Sequence, residues 1–279
     1  MIKLKDILLE STAPDIFIPR RMDDRLERMI SVYIRNGSKG DLNLQNKNLT
    51  VLPAILKDIT VNGFFDCSTN NLTTLENCPK IVTGTFNCSE NVLTSLKGAP
   101  ISVGDGFICT DNKLTSLEFA PSSVGGSFGC SNNYLTSLKG APEIVRGTFG
   151  CNNNKLTSLE GAPKKVGKSF SCNNNKLTSL EGAPKKVGKS FSCTNNLLTS
   201  LKGAPKKVGD GFYCSSNKLT SLVGAPRTIP GYFACNDNLL TSLEGAPNDA
   251  YEFWCSENPV KFTEKQVREV CDVRGMIII

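Results

Sequence analysis

The residues best able to do chemistry in this chain are its 12 cysteines, and ten of them stand in file. Cys67, Cys88, Cys109, Cys130, Cys151, Cys172, Cys193, Cys214 and Cys235 recur every 21 residues, and Cys255 follows after 20. Thiols arranged this way suggest a soft-metal site, a set of disulfides or a nucleophile. The spacing argues against each. There is no C-x-x-C pair to hold a metal, and equivalent positions of stacked coils point their Cβ atoms the same way, which is poor disulfide geometry. The chain has no histidine. That removes an imidazole base for a serine or cysteine nucleophile, an imidazole-bound zinc and a histidine pH switch. Buried cysteine behaves as a small hydrophobe, so the file reads as packing, with no cofactor and no metal expected. Cys78 and Cys271 lie outside the series and are the remaining candidates for reactive thiols, with nothing beside them that argues for activation.

A period in the low twenties implies a solenoid, in which each unit buries its apolar face only against its neighbours. The unit is clearest in CNNNKLTSLEGAPKKVGKSFS, which begins at Cys151 and again at Cys172. Phe and Cys stand two apart, so an extended strand points both to one side and their small polar neighbours to the other. One short strand per coil is expected, with Phe128, Phe149, Phe170 and Phe191 in one internal column and the cysteines in another. Leu156 and Leu159 fill the space beneath. Asn154, Asn175 and Asn196 stand where the chain leaves the strand and satisfy backbone groups that a stacked turn would leave unpaired. Gly-Ala-Pro then ends the segment and turns it back.

The chain is 279 residues long with 39% hydrophobic and 7% aromatic residues. No run approaches the roughly 18 apolar residues of a membrane-spanning helix. Lys3, Lys5, Asp6 and Glu10 put too much charge in the first ten residues for a secretory signal. A reducing, cytoplasmic setting is the expectation for the thiols.

The pattern Val166, Phe170, Cys172, Asn175, Leu177 resembles the leucine-rich-repeat family, whose unit is L-x-x-L-x-L-x-x-N/C-x-L. It is most similar to the short bacterial class with extended, Pro-containing returns. The resemblance covers residues 41 to 262 and implies about eleven coils, with short parallel strands on a concave face and extended or turn returns on a convex face. The first coil departs by using Leu44 in place of Cys, and the last, WCSENPVKF, uses Val260 and Phe262 in place of leucines. Helical caps are expected at both ends. Residues 1 to 40 are assigned to a leader and a cap in which Met22, Leu26, Met29, Ile30 and Tyr33 share a helical face. Residues 263 to 279 form the other cap, with Thr263 capping a helix through Lys265 to Val270 and Ile277, Ile278 and Ile279 packing on the last coil.

The resemblance implies a non-enzymatic module that binds a protein partner through a rigid surface. Similar bacterial effectors carry a cysteine-dependent ubiquitin ligase domain, for which the 17 residues after 262 leave no room. The strand side is small and polar, as in Ser169, Ser171 and Asn173 and then Ser190, Ser192 and Thr194. Toward the C-terminal coils Tyr213, Tyr232 and Trp254 take such positions, either as interface anchors or as packing beneath the cap. Residues 139 to 227 hold 15 Lys and Arg against 4 Asp and Glu, a net of +11 within a chain of net +6. The excess lies in the turns, at Lys164, Lys165, Lys168, Lys185, Lys186, Lys189, Lys206 and Lys207. Stacking aligns these into a basic stripe that either attracts an acidic protein or a nucleic acid or simply keeps a repetitive protein soluble. Leu4, Ile7 and Leu8 share a face of a short helix that ends Leu8-Leu9-Glu10. This is similar to the capsid-targeting leader of internal head proteins of large tailed bacteriophages, which implies cleavage at Glu10 and a virion location; the alternative is an ordinary amphipathic start.

Overall fold

The computed structural model describes residues 24–279, so Met22 and the decapeptide ending at Glu10 lie outside the described residues. Equivalent positions of successive coils sit side by side in register. Phe128 pairs with Phe149, Phe149 with Phe170, and Phe170 with Phe191, all in parallel. The ten phenylalanines of the repeating column, Phe65 to Phe253, are buried, and from Phe107 to Phe212 neighbouring rings of the column stack 5.3–5.5 Å apart. The cysteine column lies beside them, fully or almost fully buried from Cys67 to Cys255. Each of the middle coils thus contributes a Phe, a Cys, a Val and two leucines to one continuous core.

Two sheets run along the stack, where one was expected. The larger has 13 strands and follows the Phe positions from Leu42–Asn43 to the C-terminus. The smaller has eight, built from two-residue strands such as Lys165–Val166 and Lys186–Val187. The valine turns inward and the residue before it outward. A glycine-containing bend separates the two strands of most coils. In the last coils they merge into Thr228–Ala234 and Asp249–Trp254.

Departures from the 21-residue period have local solutions. Leu44 and Cys67 are 23 positions apart, and a 3-10 turn at Ala54–Leu56 takes up the surplus while burying Leu56. The 20-residue step from Cys235 to Cys255 appears as a register shift: Ile229 pairs with Ala250, but Tyr232 pairs with Glu252. One missing residue is absorbed there as a bulge.

A buried asparagine closes each coil from Asn70 to Asn238. Asn154 donates from Nδ2 to the carbonyls of Cys151, Asn152 and, one coil back, Cys130, at 3.1–3.2 Å. The residue before it, Asn153, has φ 53°. Asn, Asp and Ser fill this left-handed position in most coils, since a short polar side chain tolerates it better than most. The Gly of Gly-Ala-Pro is also left-handed, with φ 83–90° at Gly161, Gly182 and Gly203. Phe119 occupies that glycine position with φ 69° and stands out in solvent.

Both ends carry helices. Helix α1, Asp24–Arg35, buries Leu26 and Ile30 against the first coil, with Tyr33 partly buried. Met29, expected on that face, is exposed, because the buried stripe is narrow. Helix α2, Glu264–Val270, begins in a capping box: Thr263 Oγ1 accepts from the Gln266 amide, and Gln266 Oε1 accepts from the Thr263 amide at 2.8 Å. Beyond α2 the chain rejoins the large sheet through Asp272–Val273 and Ile277–Ile278. Ile277 packs on the core, whereas Ile278 and Ile279 are exposed, contrary to expectation, because Ile278 alternates to the outer side of its strand. Among the described residues no helix is long and apolar enough to cross a membrane.

Candidate functional site

The thiols are held for packing and hydrogen bonding. Cys151 Sγ donates to the Ser171 carbonyl at 3.4 Å, and Cys172 Sγ to the Ser192 carbonyl at 3.3 Å. Burial, reinforced in several cases by the adjacent thiol, pushes the column well above the usual thiol range, so the nucleophilic thiolate is suppressed. Cys78 and Cys271 are buried as well, and burial pushes Cys271 up to about 12, with Asp249 and Asp272 adding to the shift. Nothing beside either thiol activates it, and Cys78 replaces the alanine of Gly-Ala-Pro and packs on the core. Among the described residues no group of three or more Cys, Asp or Glu is placed to hold a metal ion.

The strand face changes character along the stack. In the middle coils it is a hydrogen-bonded lattice of small groups. Ser171 Oγ donates to Asn152 Oδ1 and Ser192 Oγ to Asn173 Oδ1, each at 2.6 Å. At the C-terminal coils it becomes aromatic. Tyr213 and Trp254 stand in the column that follows Phe, in register with Ser192, Ala234 and Ile278. Tyr232 stands in the column that precedes Phe and pairs with Glu252. The Tyr232 ring lies 5.8 Å from Trp254 and 6.2 Å, edge to face, from Tyr251. Tyr213 leans along its own strand over Gly211, where an added Cβ would stand 2.6 Å from its hydroxyl. That hydroxyl is shifted above the usual phenol range by burial, then by the Asp210 carboxylate and by Tyr232. Trp254 Nε1 donates to Glu252 Oε2 at 2.9 Å, which satisfies its polar edge and fixes the indole plane.

Of the three aromatics named from the sequence, Tyr232 and Trp254 are in ring contact, and Tyr213 stands one coil earlier in register with Ala234. Two further members of the patch were missed. Tyr251 is 46% exposed and Met276 60% exposed. The 20-residue step ahead of Cys255 signals the altered register at Tyr251, while Met276 enters only through the returning C-terminal strand. Tyr232 and Tyr251 are exposed, whereas Trp254 is partly buried and pairs with Ile278 of the returning C-terminal strand.

The lysines occupy a different surface, over the small sheet. Lys186 pairs with Lys207, Val166 with Val187, and Lys165 with Ile144, so Lys165, Lys186 and Lys207 form one exposed column on successive rungs. Lys164, Lys185 and Lys206 form the column beside it, followed by Arg227. Lys164 Nζ meets Glu143 Oε1 at 2.8 Å, an exposed pair. Among the described residues no carboxylate pairs with Lys165, Lys185, Lys186, Lys206 or Lys207. Lys168 and Lys189 follow the glycine bend and do not line the grooves over the small sheet, so the eight lysines form two groups.

Between the returns run grooves with apolar floors. One, of about 990 Å³, is lined by Ala162, Pro163, Val166, Ala183 and Pro184 with Lys164, Lys165, Lys185 and Lys186 at its sides. A second, of about 750 Å³, repeats this arrangement at Ala204 to Val208 and Gly224 to Thr228.

No family model and no curated protein sequence matches the chain. Solved structures of similar fold include YopM from Yersinia enterocolitica WA-314, with 18% identity, a TM-score of 0.58 and coverage of 88% of this chain and 66% of that one. YopM from Yersinia pestis, described as a leucine-rich effector protein, has 21% identity and a TM-score of 0.59, covering 86% and 70%. This chain thus spans about two thirds of the length of those proteins. In fold, with its roughly 21-residue parallel-strand coils, the chain is a leucine-rich-repeat solenoid.

Proposed function

We propose that the protein is a non-enzymatic recognition module that captures a protein partner on the strand face of its C-terminal coils. The observation that carries this reading is the cluster of Tyr232, Tyr251 and Trp254, with Tyr213 one coil earlier, set on a face that is otherwise small and polar. Aromatic side chains concentrate binding energy at interfaces, and a sheet that is ordered before contact limits the ordering cost of association. The leucine-rich-repeat fold suits protein interaction, and the suppressed thiols support a scaffold role over catalysis.

Affinity purification from the native host with the wild-type chain and with Tyr213→Ala and Trp254→Ala tests the reading. Both variants are expected to keep the wild-type circular dichroism and to lose the partner. Unchanged capture by both would remove the patch from consideration.

A further inference from the structure

We infer that the lysine-walled grooves over the small sheet bind an extended acidic peptide lying along the solenoid axis. This surface is separate from the aromatic patch, and the inference does not rest on that patch. It begins with charge. Lys165, Lys186 and Lys207 share one column on adjacent rungs, Lys185 and Lys206 flank them, and no carboxylate among the described residues pairs with any of the five. Stacked strands are spaced about 4.8 Å apart, so the column is a line of close, unpaired cations with its field directed outward.

The floor of the grooves narrows the class of ligand. It is made of Ala162, Pro163, Val166, Ala183 and Pro184, with no aromatic side chain on which a base could stack. Single-stranded nucleic acid draws much of its affinity from such stacking. An acidic peptide with small apolar residues between its carboxylates instead matches both the walls and the floor.

The orientation follows from the sheet. A ligand touching successive rungs crosses the strands at right angles and cannot extend the ladder, so its backbone hydrogen bonds must go to water. Polyproline II is the extended form whose backbone is already solvated. Three residues of it rise about 9.3 Å, close to the roughly 9.6 Å of two rungs. A carboxylate at every third residue therefore meets lysines on every second coil.

The test uses fluorescence anisotropy of the full chain with labelled (Glu-Pro-Ala)6 and with an oligothymidylate carrying the same number of charges, at about 50 mM salt. The variant Lys165→Glu/Lys186→Glu/Lys207→Glu is compared with Lys139→Glu/Lys176→Glu/Lys218→Glu, which changes net charge equally at exposed lysines away from the grooves. The groove variant is expected to weaken peptide binding by at least about tenfold and the control variant by less than about threefold. Lys165→Gln/Lys186→Gln/Lys207→Gln should show the same ranking, and it replaces the Glu variant if that fails to fold by circular dichroism. Absence of peptide binding, or equal loss in both groove and control variants, overturns the inference. Tighter binding of the oligothymidylate than of the peptide overturns it in favour of a nucleic acid. Retention of peptide binding by Trp254→Ala is the expected sign that the two surfaces are independent; its loss would overturn the placement in the grooves.

Discussion

Asn196 Oδ1 accepts the backbone N–H of Leu177, 19 positions earlier, at 3.0 Å. The same side chain donates to the carbonyl of Cys172 in the preceding coil at 3.1 Å and to Cys193 in its own coil at 3.0 Å. One buried amide therefore joins two coils where neither sheet does. No aliphatic residue could take its place, because the buried Leu177 N–H would lose its partner, whereas the Cys172 and Cys193 carbonyls would still accept from Asn175 and Asn217.

Replacement of Asn196 by alanine is expected to cost about 1–3 kcal/mol, since the buried Leu177 N–H loses its partner. Urea unfolding followed by circular dichroism checks this. A loss below about 1 kcal/mol would show that water repairs the gap and that the asparagine column is not what joins the coils.

Alkaline pH should destabilise the fold steeply. Burial pushes Cys88, Cys130, Cys151 and Cys172 well above the usual thiol value near 9, and Cys255 up to about 11. Above pH 9 the unfolded chain releases these protons while the folded chain keeps them. The unfolded state then binds fewer protons, so stability is fully present below about pH 9 and falls as pH rises toward the folded values. Each such thiol contributes a slope of about 1.4 kcal/mol per pH unit in that window. Urea midpoints between pH 7 and 10.5 should be level and then drop, and Cys151→Ala/Cys172→Ala should drop less steeply. A wild-type curve that is level to pH 10.5 would contradict the burial of the column.

Phe119 holds a left-handed conformation, φ 69°, where most coils use glycine and one uses Asn77, and it is 61% exposed. A left-handed residue with a side chain costs about 1–2 kcal/mol, and little buried area offsets it here. Phe119→Gly is therefore expected to raise stability by about 1 kcal/mol and to raise the thermal midpoint. A lower midpoint would mean that the ring makes a compensating contact.

Much of this architecture is legible in the sequence because the core repeats. Phe170, Cys172 and Leu177 recur at fixed offsets, and only stacking in register turns such offsets into columns. Asn175 is legible for the same reason, as a polar group that a stacked turn requires. The second sheet is not. Lys165–Val166 is a strand of two residues, too short to show alternation, and it exists only because the neighbouring coil places Val187 beside Val166. The aromatic site is legible in three of its members. Tyr251 depends on a one-residue slip between coils and Met276 on a strand contributed after α2, and neither follows from the period. The division of the lysines into two groups depends on the glycine bend after Val166 and Val187, which turns Lys168 and Lys189 away from the other six.

The coils that begin at Cys151 and Cys172 are the same 21-letter string, and each touches only its neighbours. Excising one would rejoin chemically identical ends and leave every remaining contact intact. The span from α1 to the tyrosines is thus quantised in steps of about 4.8 Å, and the molecule can be shortened or lengthened like a ruler without being redesigned.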